Sequence, residues 1–383
     1  MKANGGLPLL SPGQRPELTE VLKALIRFDS SNPPGNELPI ATYIQGLLAE
    51  NGLSSTLYES APGRANLYAR FGEGDEPPVI LLSHVDVVPA PEVWRHPPFE
   101  AVEEEGTIYG RGTLDTKHLT AMQLMSMIWL KREGFVPKRP IILLATADEE
   151  NGSGLGMAYM AEKYPELLPQ GDVISEGGGF VIAYGDTRLR TCTCGEKGTC
   201  KLTVTVKAEP TLGSSLDPAA GLAGRVLDTL GRLAGYDAPP QITGPTQRFL
   251  EACGGVVEDP TLKRLWEYSS RPCMAIDAHY ITFDRPREAL ELGVSYQFIH
   301  GTEQADVEGI MAHVLQGGAH FEVESFSQGY ECRVDSPFLN TLEAVSQQFD
   351  PGTRMLPMLA LGRTDGRFIG HNVYGYSPLP GDI

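Results

Sequence analysis

Three short apolar runs end in acidic or imidazole side chains, and this arrangement restricts the fold more than any other feature of the chain. Val79 to Ser83 leads into His84, with Asp86 two residues on. Ile141 to Thr146 leads to Asp148-Glu149-Glu150, and Asp172 to Ser175 leads to Glu176 and three glycines. Runs this short and apolar suit strands buried on both faces, the condition of a parallel sheet. Between the first two lies a helical pattern from about Lys117 to Gly134, with Leu119, Met122, Met125, Ile128 and Trp129 on its apolar side. Two further amphipathic helices are predicted upstream, at 16–29 and from Leu38 to the Asn51-Gly52 stop, followed by a strand from Asn66 to Phe71. Strands alternating with helices predict an α/β fold, a mostly parallel sheet with helices on both faces.

In open α/β sheets the carboxyl ends of parallel strands line the ligand crevice. His84, the Asp148–Glu150 cluster and Glu176 are therefore expected at one edge. Asp86 follows His84 by two residues, the period of a strand, and shares its side. Asp115 stands in Gly110-Arg-Gly-Thr-Leu-Asp115-Thr-Lys117, just before the helix. Taken singly each has an ordinary reading: a structural histidine, a solvated acidic turn, or a helix N-cap at Asp115. Together, imidazole and carboxylates suit zinc, and two metals about 3.5–4 Å apart need a shared carboxylate. A carboxylate beside such a pair can accept a proton from water whose pKa the metal has lowered.

From about Glu196 the pattern changes to alternating strands (Leu202 to Val206, Leu290 to Ile299, His320 to Ser325) with helices at Ala219–Leu233 and near Asp306–Leu315. Tyr236 to Asp259 is marked by Pro and Gly. This predicts an inserted, smaller α+β domain at 197–330, a lid or dimerisation unit, between catalytic segments 1–196 and 331–383. The second segment opens with a helix from Ser336 to Phe349, and a strand from Met355 to Leu361 is expected to rejoin the first sheet.

The formal charge of −18, from 31 basic and 49 acidic residues, excludes a nucleic-acid partner, because phosphate binding needs a basic face. No apolar run reaches the roughly 18 residues of a membrane span, and Met1 to Pro16 lacks a signal-peptide core, so a cytoplasmic protein with no membrane partner is expected. The six cysteines offer no paired zinc knuckles and are read as reduced thiols.

Ser83-His84-Val85-Asp86-Val87-Val88-Pro89, Gly110-Arg111-Gly112 through Asp115 and Lys117, and Asp148-Glu149-Glu150-Asn151-Gly152 together resemble the M20 metallopeptidases and deacylases. Trp94 to Phe99, Gly362 to Arg367 and Val373 to Tyr376 extend the resemblance over nearly the whole chain. It implies two divalent ions, zinc with cobalt or manganese as alternatives. His84 and Glu176 would bind the first metal, Asp115 would bridge both, and Glu150 would bind the second. Glu149 would be the general base, Asp86 would orient the His84 ring, and Arg367 would hold a substrate carboxylate. The implied reaction is cleavage of an amide next to a free carboxylate in a small peptide or N-acyl amino acid, by a carboxypeptidase, dipeptidase or deacylase, with dimerisation through the inserted domain.

Some family features differ here. The second metal of the family takes a histidine near the C-terminus, and the chain reaches Pro380-Gly381-Asp382-Ile383 without one; His371 stands where no ligand is expected. Truncation is the favoured reading and an incomplete second site the alternative. Leu212 stands in place of a turn histidine, Phe283 of a substrate-binding Asn, and Gln297 of a common Arg. These differences keep open a second class, a catalytically silent metal-binding or interaction protein on the same fold.

Overall fold

The computed structural model describes residues 11, 13–207, 221–284, 289–316 and 318–378, with backbone alone for 277–280, 283 and 284. The expectations for Leu212, for the Phe283 side chain and for the last five residues lie outside the described residues. The chain forms two compact units. One comprises the segments up to Cys194, Cys332–Leu356 and from Arg363 on; the other is Gly195–Glu331 with Pro357–Gly362.

The first unit is α/β. Its central strands, in spatial order Ile141–Thr146, Val79–His84, Asp172–Gly178 and Val373–Tyr376, pair in parallel. Antiparallel strands flank them, with Ser55–Ala61 and Arg64–Phe71 on one side and Thr187–Thr193 on the other. Helices Gln14–Ile26, Leu38–Glu50 and Lys117–Arg132 cover one face, where Leu25, Ile44, Leu48, Leu124 and Ile128 pack over Leu67, Leu143 and Ala145. Each such side chain, when fully buried, contributes about 1.5–3 kcal/mol. Ile80, Leu82, Ile142, Leu144 and Val173 point the other way and are equally buried. Burial on both faces is why these strands read as continuous apolar runs. The outer strands Ser55–Ala61 and Thr187–Thr193 carry Thr, Arg and Ser and gave no such signal.

The second unit is a four-stranded antiparallel sheet in the order Cys273–Asp284, Ala289–Phe298, Gly198–Lys207, His320–Ser327. Cys200, Leu202, Val204, Leu292, Val294 and Tyr296 form its inner face, packed with Leu233, Met311 and Val314 from helices Leu222–Ala234 and Gln304–Leu315. The Pro- and Gly-marked stretch holds one helix that its composition did not predict, and a second begins where the stretch ends. Helix Gly244–Ala252 begins in a capping box between Thr243 and Thr246 with Pro245 in its first turn. Helix Pro260–Ser270 begins at Asp259, whose carboxylate accepts from the Thr261 and Leu262 N–H groups. Here proline marked helix starts rather than irregular chain.

Candidate metal centre

Parallel register brings the three polar strand ends to one edge. His84 pairs with Thr146, one residue before the loop that carries Asp148, Glu149 and Glu150. Glu176 lies in the next strand, Asp172–Gly178. His84 is 1% exposed. Its Nε2 lies 3.1 Å from Asp115 Oδ1 and 3.3 Å from Glu176 Oε2. Two groups of possible ligand atoms, each within 4.8 Å of one another, share this histidine: one with Glu149 and Glu176, the other with Asp115 and Glu150. The five residues drawn together from strand, loop and helix start are those singled out from the sequence. The grouping differs in one respect, because Glu149 sits in a convergent set with His84 and Glu176.

Helix Lys117–Arg132 fixes Asp115 against this edge. Lys117 donates from N to the Gly112 carbonyl at 2.9 Å and from Nζ to the Phe28 carbonyl at 2.8 Å. Thr120 donates to Ser83 Oγ at 2.9 Å, and Gln123 Nε2 reaches the carbonyls of Leu82 and Ile174, tying two neighbouring strands together. The Asp115–Thr116 peptide bond is cis.

Asp86 sits behind the loop with no exposure. Its carboxylate accepts from the Glu149 and Glu150 N–H groups, both at 3.1 Å, and from Asn32 Nδ2 at 2.8 Å. The His84 Nδ1 contacts the Asp86 backbone carbonyl at 3.0 Å, closer than the carboxylate at 3.5 Å. Asp86 thus holds the acidic loop as much as the ring. Asp148, in the left-handed region at φ 63°, is a brace: Asn32 and Arg64 donate to one oxygen and the Leu155 N–H to the other. Arg64 is in turn paired with the fully buried Glu37.

Asp365 was not anticipated. It is buried and accepts from Thr146 Oγ1 at 2.6 Å and Ser153 Oγ at 2.5 Å, one residue on each side of the Ala147–Gly152 loop. The signal available in sequence was only an Asp within Gly362–Arg367. Arg367, two residues on, is not among the convergent groups. It is half-buried, with its guanidinium 5.0 Å from the Phe368 ring and its Nε and Nη1 making no hydrogen bond among the described residues. His371 donates from Nδ1 to the Ile369 carbonyl at 2.7 Å and lies outside both groups.

The electrostatics are those of a crowded acidic focus. Burial pushes the Glu149 carboxyl up to about 9; His84 opposes this, and Glu176, Asp365 and Asp86 add to it. Burial likewise raises Glu150. The hydrogen bond from His84 holds Asp115 below its ordinary range against the cost of burial. Burial works to lower His84, yet Glu176, Asp115 and Asp86 outweigh it and raise it well above the usual imidazole value. Carboxylates this close repel unless a cation is shared among them. The donor set, one imidazole and four carboxylates at one focus, fits divalent metal ions.

Known proteins resemble this chain in sequence and in fold. Residues 80–381 match the model of peptidase family M20/M25/M40. A Staphylococcus aureus protein bearing the name probable succinyl-diaminopimelate desuccinylase is 32% identical over 197 residues, 50% of this chain and 46% of the relative. The Xenopus tropicalis N-fatty-acyl-amino acid synthase/hydrolase PM20D1 is 30% identical over 280 residues, 68% of this chain and 54% of the relative. The aligned region thus spans about half the length of these curated relatives. The M20 family metallo-carboxypeptidase Sso-CP2 from Sulfolobus solfataricus shares the fold, with a TM-score of 0.68 at 16% identity over 96% of this chain and 91% of that one. A match across most of the chain, carried on a sheet edge with this donor set, means that the chain belongs to peptidase family M20/M25/M40.

Proposed function

We propose that this chain carries the catalytic centre of a two-metal hydrolase that cleaves an amide bond next to a free carboxylate. The observation that carries the reading is the pair of convergent groups sharing His84, with Glu149 in one of them. His84, Asp115 and Glu176 would hold one divalent ion, zinc foremost, and Asp115 with Glu150 would hold the other. Ions held there supply Lewis acidity that polarises a carbonyl and lowers the pKa of water. Glu149 takes a proton from that water on its carboxylate and passes it to the leaving amine. Burial raises the affinity of Glu149 for a proton, and a cation held beside it would favour the carboxylate that accepts one. Asp86 keeps Glu149 and Glu150 in place through their backbone N–H groups.

The two guanidinium nitrogens of Arg367 without hydrogen-bond partners among the described residues support its assignment as holder of the substrate carboxylate. Small peptides and N-acyl amino acids are the substrate class, in keeping with the names of the relatives. The unit Gly195–Glu331 serves as the lid or dimerisation domain; its outer strands Cys273–Asp284 and His320–Ser327 offer sheet edges for a second copy. A cytoplasmic location is part of the proposal; among the described residues no helix is long and apolar enough to cross a membrane.

Glu149→Gln tests the reading. It keeps the shape of the side chain and removes the proton acceptor, so zinc content measured by elemental analysis stays as in the parent. Hydrolysis of dipeptides and N-acetyl or N-succinyl amino acids falls by at least about 100-fold. Undiminished hydrolysis by this variant overturns the assignment.

A further inference from the structure

The second unit carries a cluster with chemistry of its own. Lys197, 6% exposed, lies between the strands Gly195–Glu196 and Gly198–Lys207. It forms no ion pair among the described residues. Its Nζ instead sits 3.8 Å from the centroid of the Tyr268 ring and 3.7 Å from Cys273 Sγ. Cys273 is free and half-buried, and its thiol donates to Gln297 Oε1 at 3.2 Å. The single O–H of Tyr268 is shared between the same Gln297 oxygen at 3.2 Å and the Leu361 carbonyl at 2.9 Å. Amine, thiol and their supports are thus locked in one arrangement. The other five cysteines are all buried.

We infer that Lys197 and Cys273 form an oxidant-driven modification site, where hydrogen peroxide joins the thiol to the amine as a reversible sulfenamide. Two balanced steps make the bond. The Cys273 thiolate sulfur attacks one peroxide oxygen, the O–O bond breaks, and sulfenic acid and hydroxide form; the sulfur is oxidised by two electrons and the peroxide reduced by two. The lone pair of the neutral Lys197 amine then attacks the sulfenic sulfur, the S–O bond breaks, and the leaving hydroxide takes the amine proton as water. Overall, one thiol, one amine and one peroxide give one S–N bond and two waters. A thiol reductant reverses the link by attacking sulfur and releasing the amine.

The surroundings favour each step. Burial lowers the Lys197 ammonium, with only the neighbouring sulfur acting against it, so the neutral amine needed next is within reach. Partial exposure of Cys273 admits a molecule as small as peroxide. The shared Gln297 oxygen keeps the sulfur facing Nζ.

Mass spectrometry tests the inference on the reduced full chain, treated with hydrogen peroxide and digested with trypsin. The expected product joins the Lys197 and Cys273 peptides, is about 2 Da lighter than the two together, resists cleavage at Lys197, and separates on adding a thiol reductant. Lys197→Arg keeps a cation over Tyr268 but offers no neutral amine. In that variant Cys273 goes on to sulfinic acid, a gain of about 32 Da, several times faster than in the parent. If the parent reaches sulfinic acid as fast as the variant, with Lys197 still cleaved, the site does not exist. A Cys273 that stays unoxidised, or that ends only as a disulfide with another thiol, overturns it equally.

Discussion

Asp365→Asn isolates one buried charge and predicts a change in the slope of stability with pH. Asp365 is 2% exposed, and burial carries its carboxyl from 3.8 to about 6, against the hydrogen bonds from Ser153 and Thr146. A group that holds its proton more tightly in the fold than in the unfolded chain stabilises the fold as the proton binds. Over this window the native state binds more protons, so stability rises as pH falls from about 7 to about 4. The shift corresponds to about 3 kcal/mol at its full extent. Asparagine is uncharged throughout and lacks this component. Its single carbonyl oxygen serves only one of the two hydroxyls, and the other must turn to accept from the amide N–H, at a cost of about 1 kcal/mol that does not vary with pH. Thr146 bears that change more easily, since its hydroxyl also lies 3.2 Å from the Ser83 carbonyl. Urea unfolding of the metal-free protein at several pH values measures both effects. The variant should gain on the parent by up to about 3 kcal/mol as pH rises from 4 to 7, on top of a constant offset. Parallel curves for the two proteins would refute the reasoning.

Three further perturbations probe the supports of the site. Asp86→Ala removes the acceptor of the Glu149 and Glu150 N–H groups, and zinc affinity, read by competition with a chromophoric chelator, should fall by about 10–100-fold; unchanged affinity would contradict the role given to Asp86. Gly375→Ala places a methyl 1.8 Å from Thr193 Oγ1 and 2.3 Å from the Glu176 carbonyl oxygen, so calorimetry should show a loss of about 1–3 kcal/mol with a lowered Tm. Glu37→Gln leaves the buried Arg64 with Asp148 as its remaining carboxylate, and urea unfolding should report about 3 kcal/mol of destabilisation.

The sequence alone determined the α/β class and the residues that meet at the sheet edge. Val79–Ser83, Ile141–Thr146 and Asp172–Ser175 are apolar because both faces of a central strand are buried, and His84, Glu149, Glu150 and Glu176 stand where such strands end. That information is local, so it survives without coordinates. Tertiary structure decided what depends on residues far apart in the chain. Arg64 and Asn32 brace Asp148 across 84 and 116 positions, and Asp365 reaches Thr146 across 219. No periodicity marks a polar residue whose partner lies in another segment, since its burial is made tolerable only by that partner. The same holds for Lys197 and Cys273, unremarkable in the sequence and adjacent only because antiparallel strands bring Thr199 opposite Gln297 and Gln297 opposite Cys273.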